Sequence, residues 1–168
     1  MSAIAVVANL AILCFAALVF SAAVSDILTY RIPNRLSLAL VLLYPTYIFA
    51  APQPVEWLPA IGLASASLAL GFVLFSFKIC GAGDAKLFAA VALWAGPSLF
   101  LPFLFMTTLA GGVIALFIWL QLRFAQAATP LLVFQTPSDP MLGKQQMPYG
   151  AAIAVAALYV AFTLMRIS

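Results

Sequence analysis

Residues 81–122 read GAGDAKLFAAVALWAGPSLFLPFLFMTTLAGGVIALFIWLQL. Asp84 and Lys86 stand in the first six positions, and no charge follows from Leu87 to Leu122. That is more apolar chain than one bilayer crossing of about 20 residues can use. Gly96-Pro97-Ser98 breaks it, because glycine and proline together favour a turn over a continuing helix. The stretch therefore predicts a helical hairpin, with one helix over about 85–95 and another over about 99–122.

The rest of the chain follows the same pattern. Of 168 residues, 67% are hydrophobic and 7% charged, with mean hydropathy +1.21. A soluble domain carries about a quarter charged residues, so this chain could not cover a water-facing surface. Residues 2–25, 36–53 and 57–77 are also free of charge. Turn signals then predict an all-α, polytopic membrane protein, one domain over 1–168. It would have six transmembrane helices, at about 3–25, 36–50, 57–77, 85–95, 99–122 and 149–165. The first stretch lacks a basic leader and a small-residue cleavage site, and reads as a retained helix rather than a signal peptide. Gly62 and Ala66 have small-xxx-small spacing, which suits close helix packing.

Six of the seven basic residues fall in three connections: Arg31 and Arg35, Lys78 and Lys86, Arg123 and Lys144. The positive-inside rule places these on the cytoplasmic side and both termini outside it. The pI of about 9.1 then reflects topology, with the lipid bilayer as partner and no nucleic acid. Segment 123–148, with its three proline turns, reads as a cytoplasmic loop. Histidine is absent, which removes Ser-His-Asp and Cys-His catalysis and the commonest zinc ligand. Cys14 reads as an apolar core residue and Cys80 as a small loop residue, with neither a disulfide framework nor a metal site.

Four acids remain. Glu56 reads as a solvated charge at a helix start, and Asp139 as a turn residue. Asp26 ends the first predicted helix, and Asp84 opens the fourth. Taken singly, Asp26 suits an interfacial charge facing Arg31 or Arg35, and Asp84 suits a helix N-cap. Helix length adds weight to Asp84. From 84 to 95 a helix rises only about 18 Å, well short of a 30 Å hydrocarbon core. A carboxylate recessed in the membrane is a functional candidate. Gly81 and Gly83 would let an extended peptide approach it closely.

Gly81-Ala82-Gly83-Asp84-Ala85-Lys86 resembles the GxGDxK motif of the type IV prepilin peptidases, a family of GxGD membrane aspartyl proteases. Ser25-Asp26 through Arg31-Ile32-Pro33-Asn34 is similar to the family's other motif, an acid followed by R-I-P-N. Met147-Pro148-Tyr149-Gly150 looks like its P-[FY]-G segment. The chain most resembles the short form that serves Tad-type (Flp) pili. It lacks the N-terminal cytoplasmic region with CxxC pairs found in larger members, so peptidase activity is expected without N-methylation.

The resemblance implies that Asp26 and Asp84 are the catalytic pair and that no cofactor is needed. One carboxylate would take a proton from the attacking water while the other serves the carbonyl oxygen and the leaving amine. Lys86 reads either as a snorkelling anchor or as a cation supporting the pair. Pro33 and Asn34 would shape the turn into the second helix, with Asn34 as its cap. Gly150 and Pro148 would shape the site from the last helix. The implied substrates are prepilins or pseudopilins with a short basic leader, in a pilus or secretion assembly of the bacterial inner membrane. The glycine turn and the loop 123–148 are expected to receive or gate the substrate. Two other classes stay open: a small transporter or ion-conducting protein using Asp26, Asp84 and Lys86, and a non-catalytic assembly factor.

Overall fold

The computed structural model describes residues 3–128 and 149–167. It is all-α, with helices α1 (Ala3–Thr29), α2 (Asn34–Ala50), α3 (Trp57–Ser76), α4 (Ala82–Ala128) and α5 (Tyr149–Ile167). Four of these, all but α2, contain a stretch long and apolar enough to cross a membrane. The expectation of six spans is therefore corrected to five helices with four long apolar ones. The sequence count treated every apolar segment as a crossing. At 1.5 Å per residue the 17-residue α2 rises only about 26 Å, short of the roughly 30 Å needed.

The predicted fourth and fifth helices form one element with a break inside it. Gly96 lies within α4 at φ 57°, ψ −174°, and Pro97 follows. Only glycine adopts this combination readily, and proline fits the first position of the helix that restarts there. Phe88 and Phe103 are fifteen positions apart, about 22 Å along a straight helix. Their ring centroids lie 4.8 Å apart. The chain thus doubles back at Gly96, as its glycine-proline pair predicts.

The arm of α4 before Gly96 forms the centre of the molecule. Leu87, Val91 and Ala92 are fully buried, and Ala90, Trp94 and Ala95 nearly so. A helix apolar all round belongs in a core, and α2, α3 and α5 all pack against α4. Trp94 anchors the arm. Its ring stacks on Phe15 of α1 at 4.5 Å and on Tyr47 of α2 at 5.3 Å, with Tyr44 edge-on at 5.7 Å. The Trp94 Nε1–H donates to the Leu40 carbonyl at 2.9 Å, so the one polar atom of this buried ring is satisfied.

Two smaller expectations change, and that for Glu56 holds. Gly62 and Ala66 face outward, and a Cβ on Gly62 would meet nothing within 4 Å. α3 instead buries Ala60, Ser67 and Gly71. A Cβ on Gly71 would sit 2.6 Å from that of Ala85, so the bare backbone lets α3 approach α4. Spacing alone identified small residues but not the face they share. Cys14 is exposed rather than in the core. Glu56 is exposed and precedes α3 without a side-chain capping bond. Pro148, Asp139, Lys144 and most of the loop 123–148 lie outside the described residues.

Gly96→Ala should destabilise the protein by about 1–3 kcal/mol through backbone strain alone, since a Cβ there meets nothing within 4 Å. Thermal unfolding in detergent measures this; an unchanged midpoint would mean that the turn does not need the glycine conformation.

Candidate active site

The site forms where the end of α1 meets the starts of α4 and α5. α1 runs one turn beyond its predicted end, so Asp26 lies inside the last turn and only 5% of it is exposed. Its Oδ2 accepts the Gly150 N–H at 2.8 Å, and the Ala151 N–H is a further donor. The first amides of a helix have no partner within it. Asp26 supplies one for α5 from a residue 124 positions away.

Gly150 permits this contact. A Cβ there would sit 2.8 Å from Asp26 Oδ2 and 2.8 Å from Ile32 Cδ1. No side chain fits without moving the carboxylate or the isoleucine. Gly83 is held similarly, since its Cβ would lie 3.2 Å from that of Ile32. Ile32 is thus wedged between the glycine turn and the start of α5. Its branched apolar side chain carried no functional signal in the sequence.

Asp84 is the third residue of α4 rather than the residue before it. The Ala85 N–H donates to the Gly81 carbonyl at 3.1 Å, which begins the helix. The Gly81 N–H in turn donates to the Asp84 carboxylate. This is the return half of a capping box, with an acid at the third position reaching back to the cap. A Cβ on Gly81 would lie 2.8 Å from Asp84 Oδ2, too close for a larger residue to sit there undisturbed.

Asp26 and Asp84 line one open cavity of about 980 Å³, and the Asp26 carboxylate is near enough to act electrostatically on that of Asp84. Tyr30, Arg31, Lys78 and Tyr149 also line it, as do Asn34, Gly81 and Gly83. Cys80 lies beside them, and burial and the Asp84 charge push its thiol up from its usual value. A thiol held neutral is a poor nucleophile. Among the described residues no three His, Cys, Asp or Glu side chains come together as a metal site would require.

Lys86 and Asn34 differ from expectation. Asn34 is the first residue of α2, and Pro33, in extended backbone, holds the cap position without a side-chain bond. Asn34 Oδ1 instead accepts from Lys86 Nζ at 3.1 Å. Lys86 thereby ties the first turn of α4 to the start of α2. The Ser25 hydroxyl donates to the Arg31 carbonyl at 2.8 Å, folding the R-I-P-N segment back over α1.

Fold and site together define a helical membrane protein with a carboxylate pair in one cavity at the end of its bundle. Within this class the chain belongs to the Type IV leader peptidase family, whose model matches residues 13–116, more than half its length. The matched span contains Asp26, Asp84 and the glycine turn and ends before Gly150. No curated protein and no solved structure matches the chain.

Gly150→Ala should lower the thermal midpoint because the added Cβ meets the Asp26 carboxylate. Gly62→Ala, in open space on a helix, should leave the midpoint unchanged or raise it, since alanine is favoured there by about 1 kcal/mol. Equal effects in differential scanning fluorimetry would refute the close contact at Gly150.

Proposed function

We propose that this protein is an aspartic-type membrane endopeptidase that removes the leader from prepilin-like substrates, with Asp26 and Asp84 as its catalytic pair. The observation that carries the reading is that the carboxylates of the two family motifs, 58 positions apart in sequence, share one open cavity. One carboxylate takes a proton from water as the water oxygen bonds to the scissile carbonyl carbon. The protonated partner hydrogen-bonds the carbonyl oxygen. The leaving nitrogen then gains a proton as the carbon–nitrogen bond breaks, giving a free amine and a carboxylic acid.

Lys86 and Asn34 are positioning residues in this reading, because their bond ties the turn of α4 that bears Asp84 to the start of α2, which follows the segment from Asp26 to Pro33. Gly150 positions Asp26 directly. The cavity end faces the cytoplasm, where Arg31 and Lys78 satisfy the positive-inside rule. α1 ends and α5 begins at the Asp26–Gly150 contact. Ala3 and Ile167 therefore lie toward the opposite, extracytoplasmic face of the inner membrane. A basic leader kept in the cytoplasm would meet the carboxylates directly.

The transporter alternative is less well supported. It needs polar groups continuing through the bundle. Among the described residues the buried polar side chains are Asp26, Ser37 and Ser67, with the Asn9 Oδ1 atom also buried, while Ile12, Phe15, Val19 and Val160 fill the interior.

Co-expression with a prepilin should show leader loss by mass with the wild type. Asp26→Asn and Asp84→Asn should each reduce cleavage by about 10²–10⁴-fold or more while inserting normally. Wild-type cleavage by either variant would remove that aspartate from the mechanism, and retained pilus assembly without cleavage would favour the assembly-factor class.

A further inference from the structure

Among the described residues, Tyr30 (φ 51°) and Lys78 (φ 60°) are the non-glycine residues in left-handed backbone. Both line the cavity that holds Asp26 and Asp84. Each follows the end of a helix directed at the site. Tyr30 closes α1, its N–H donating to the Asp26 carbonyl at 2.8 Å. Lys78 closes α3 in a Schellman turn, with Lys78 N–H on the Phe75 carbonyl at 2.9 Å and Ile79 N–H on that of Leu74 at 3.0 Å. Glycine is the usual occupant of this position, because a Cβ crowds the following carbonyl.

The fold gains nothing visible from these two side chains. Tyr30 is 52% exposed and Lys78 is also exposed. Among the described residues neither side chain makes a hydrogen bond or an ion pair. A conformation that disfavours both residues is thus kept at two separate helix ends, and both face one cavity. Strain of this kind collects where a side chain is needed for something other than folding.

We propose that Tyr30 and Lys78 bind the unwound main chain of the substrate, an inference that rests on the peptidase reading above. A substrate helix must open before its peptide bond can be attacked. Its carbonyls then lose their helical donors and need new ones. Lys78 carries three N–H donors for those carbonyls. Tyr30 supplies a hydroxyl and a ring face that covers an apolar side chain next to the cut. Both line the cavity of the aspartates, one just beyond α1 and the other just beyond α3, so a segment bound to them lies beside the carboxylates.

The test compares purified wild type, Tyr30→Gly, Lys78→Gly and Lys78→Arg in vesicles, using a synthetic prepilin peptide. Both glycine variants should raise the thermal midpoint by a few degrees or leave it unchanged. Both should raise KM about tenfold, the scale of one lost hydrogen bond to a charged group, with kcat within about twofold. Lys78→Arg should keep the wild-type KM. An unchanged KM in both glycine variants, or a lower midpoint, would overturn the proposal. So would a KM effect of Lys78→Gly seen only with anionic lipid, because that assigns the lysine to headgroups. Peptide affinity, followed by fluorescence anisotropy, separates the two readings. Wild type that binds without cleaving overturns only the peptidase assignment, and glycine variants that bind as wild type does overturn only this one. Wild type that binds no peptide overturns both.

Discussion

The Gly150 N–H meets the Asp26 carboxylate at 2.8 Å with no room for a side chain between them. This contact joins the last turn of α1 to the first turn of α5. It fixes the rotamer of an acid that would otherwise be free to turn toward solvent. It also gives α5 an acceptor for amides that its own backbone cannot satisfy. Ile32, packed against both Gly150 and Gly83, carries the constraint on to the turn that presents Asp84. One close approach therefore sets the positions of both carboxylates.

The second constraint is the central position of the arm before Gly96. Its 14 residues rise only about 21 Å, and Asp84 in its first turn shares a cavity with Asp26 in the last turn of α1. A short helix leaves its first turn below the headgroups unless the bilayer thins. Here Ala82 is exposed and Asp84 half-buried, while Ala85 and Leu87 are buried, so the arm enters the core from the cavity within its first two turns. The break at Gly96 then turns the chain back and brings Phe103 onto Phe88. The glycine conformation and the half-buried carboxylate mark the two ends of one short helix.

The sequence made some of this legible and not the rest. The α class and the hairpin at Gly96-Pro97 could be read because they rest on local signals, apolar runs and a glycine-proline break, whereas the pairing of the two acids was implied by the resemblance of their motifs to a family. The number of spans could not, since an apolar segment reads the same whether it faces lipid or protein. Cys14 and the Gly62–Ala66 face were misplaced for the same reason, as membrane sequences lack the polar contrast that marks an outer face. Asn34 was expected as a helix cap from its type alone, but Lys86, 52 positions on, claims its side-chain oxygen. Ile32 and Gly71 act through shape, which only tertiary distances reveal. Tyr30 and Lys78 had no signal at all, because their backbone angles are those a sequence reader assigns to glycine.

The structural and chemical roles of the two acids need not compete. Asp84 reaches back to the Gly81 amide as a capping residue does, and Asp26 accepts amides of α5. Each is placed by the same helix-end donors that would justify a purely structural reading. A capping acid accepts hydrogen bonds on part of its carboxylate and leaves the remaining lone pairs free. In a fully packed interface those lone pairs would be a liability. Here they border an open cavity shared with the other acid, where water and a peptide carbonyl can reach them. On the proposed peptidase reading, helix ends hold each carboxylate in place with one set of contacts while leaving another set for chemistry, and a protein with only four acidic residues uses two of them for both tasks.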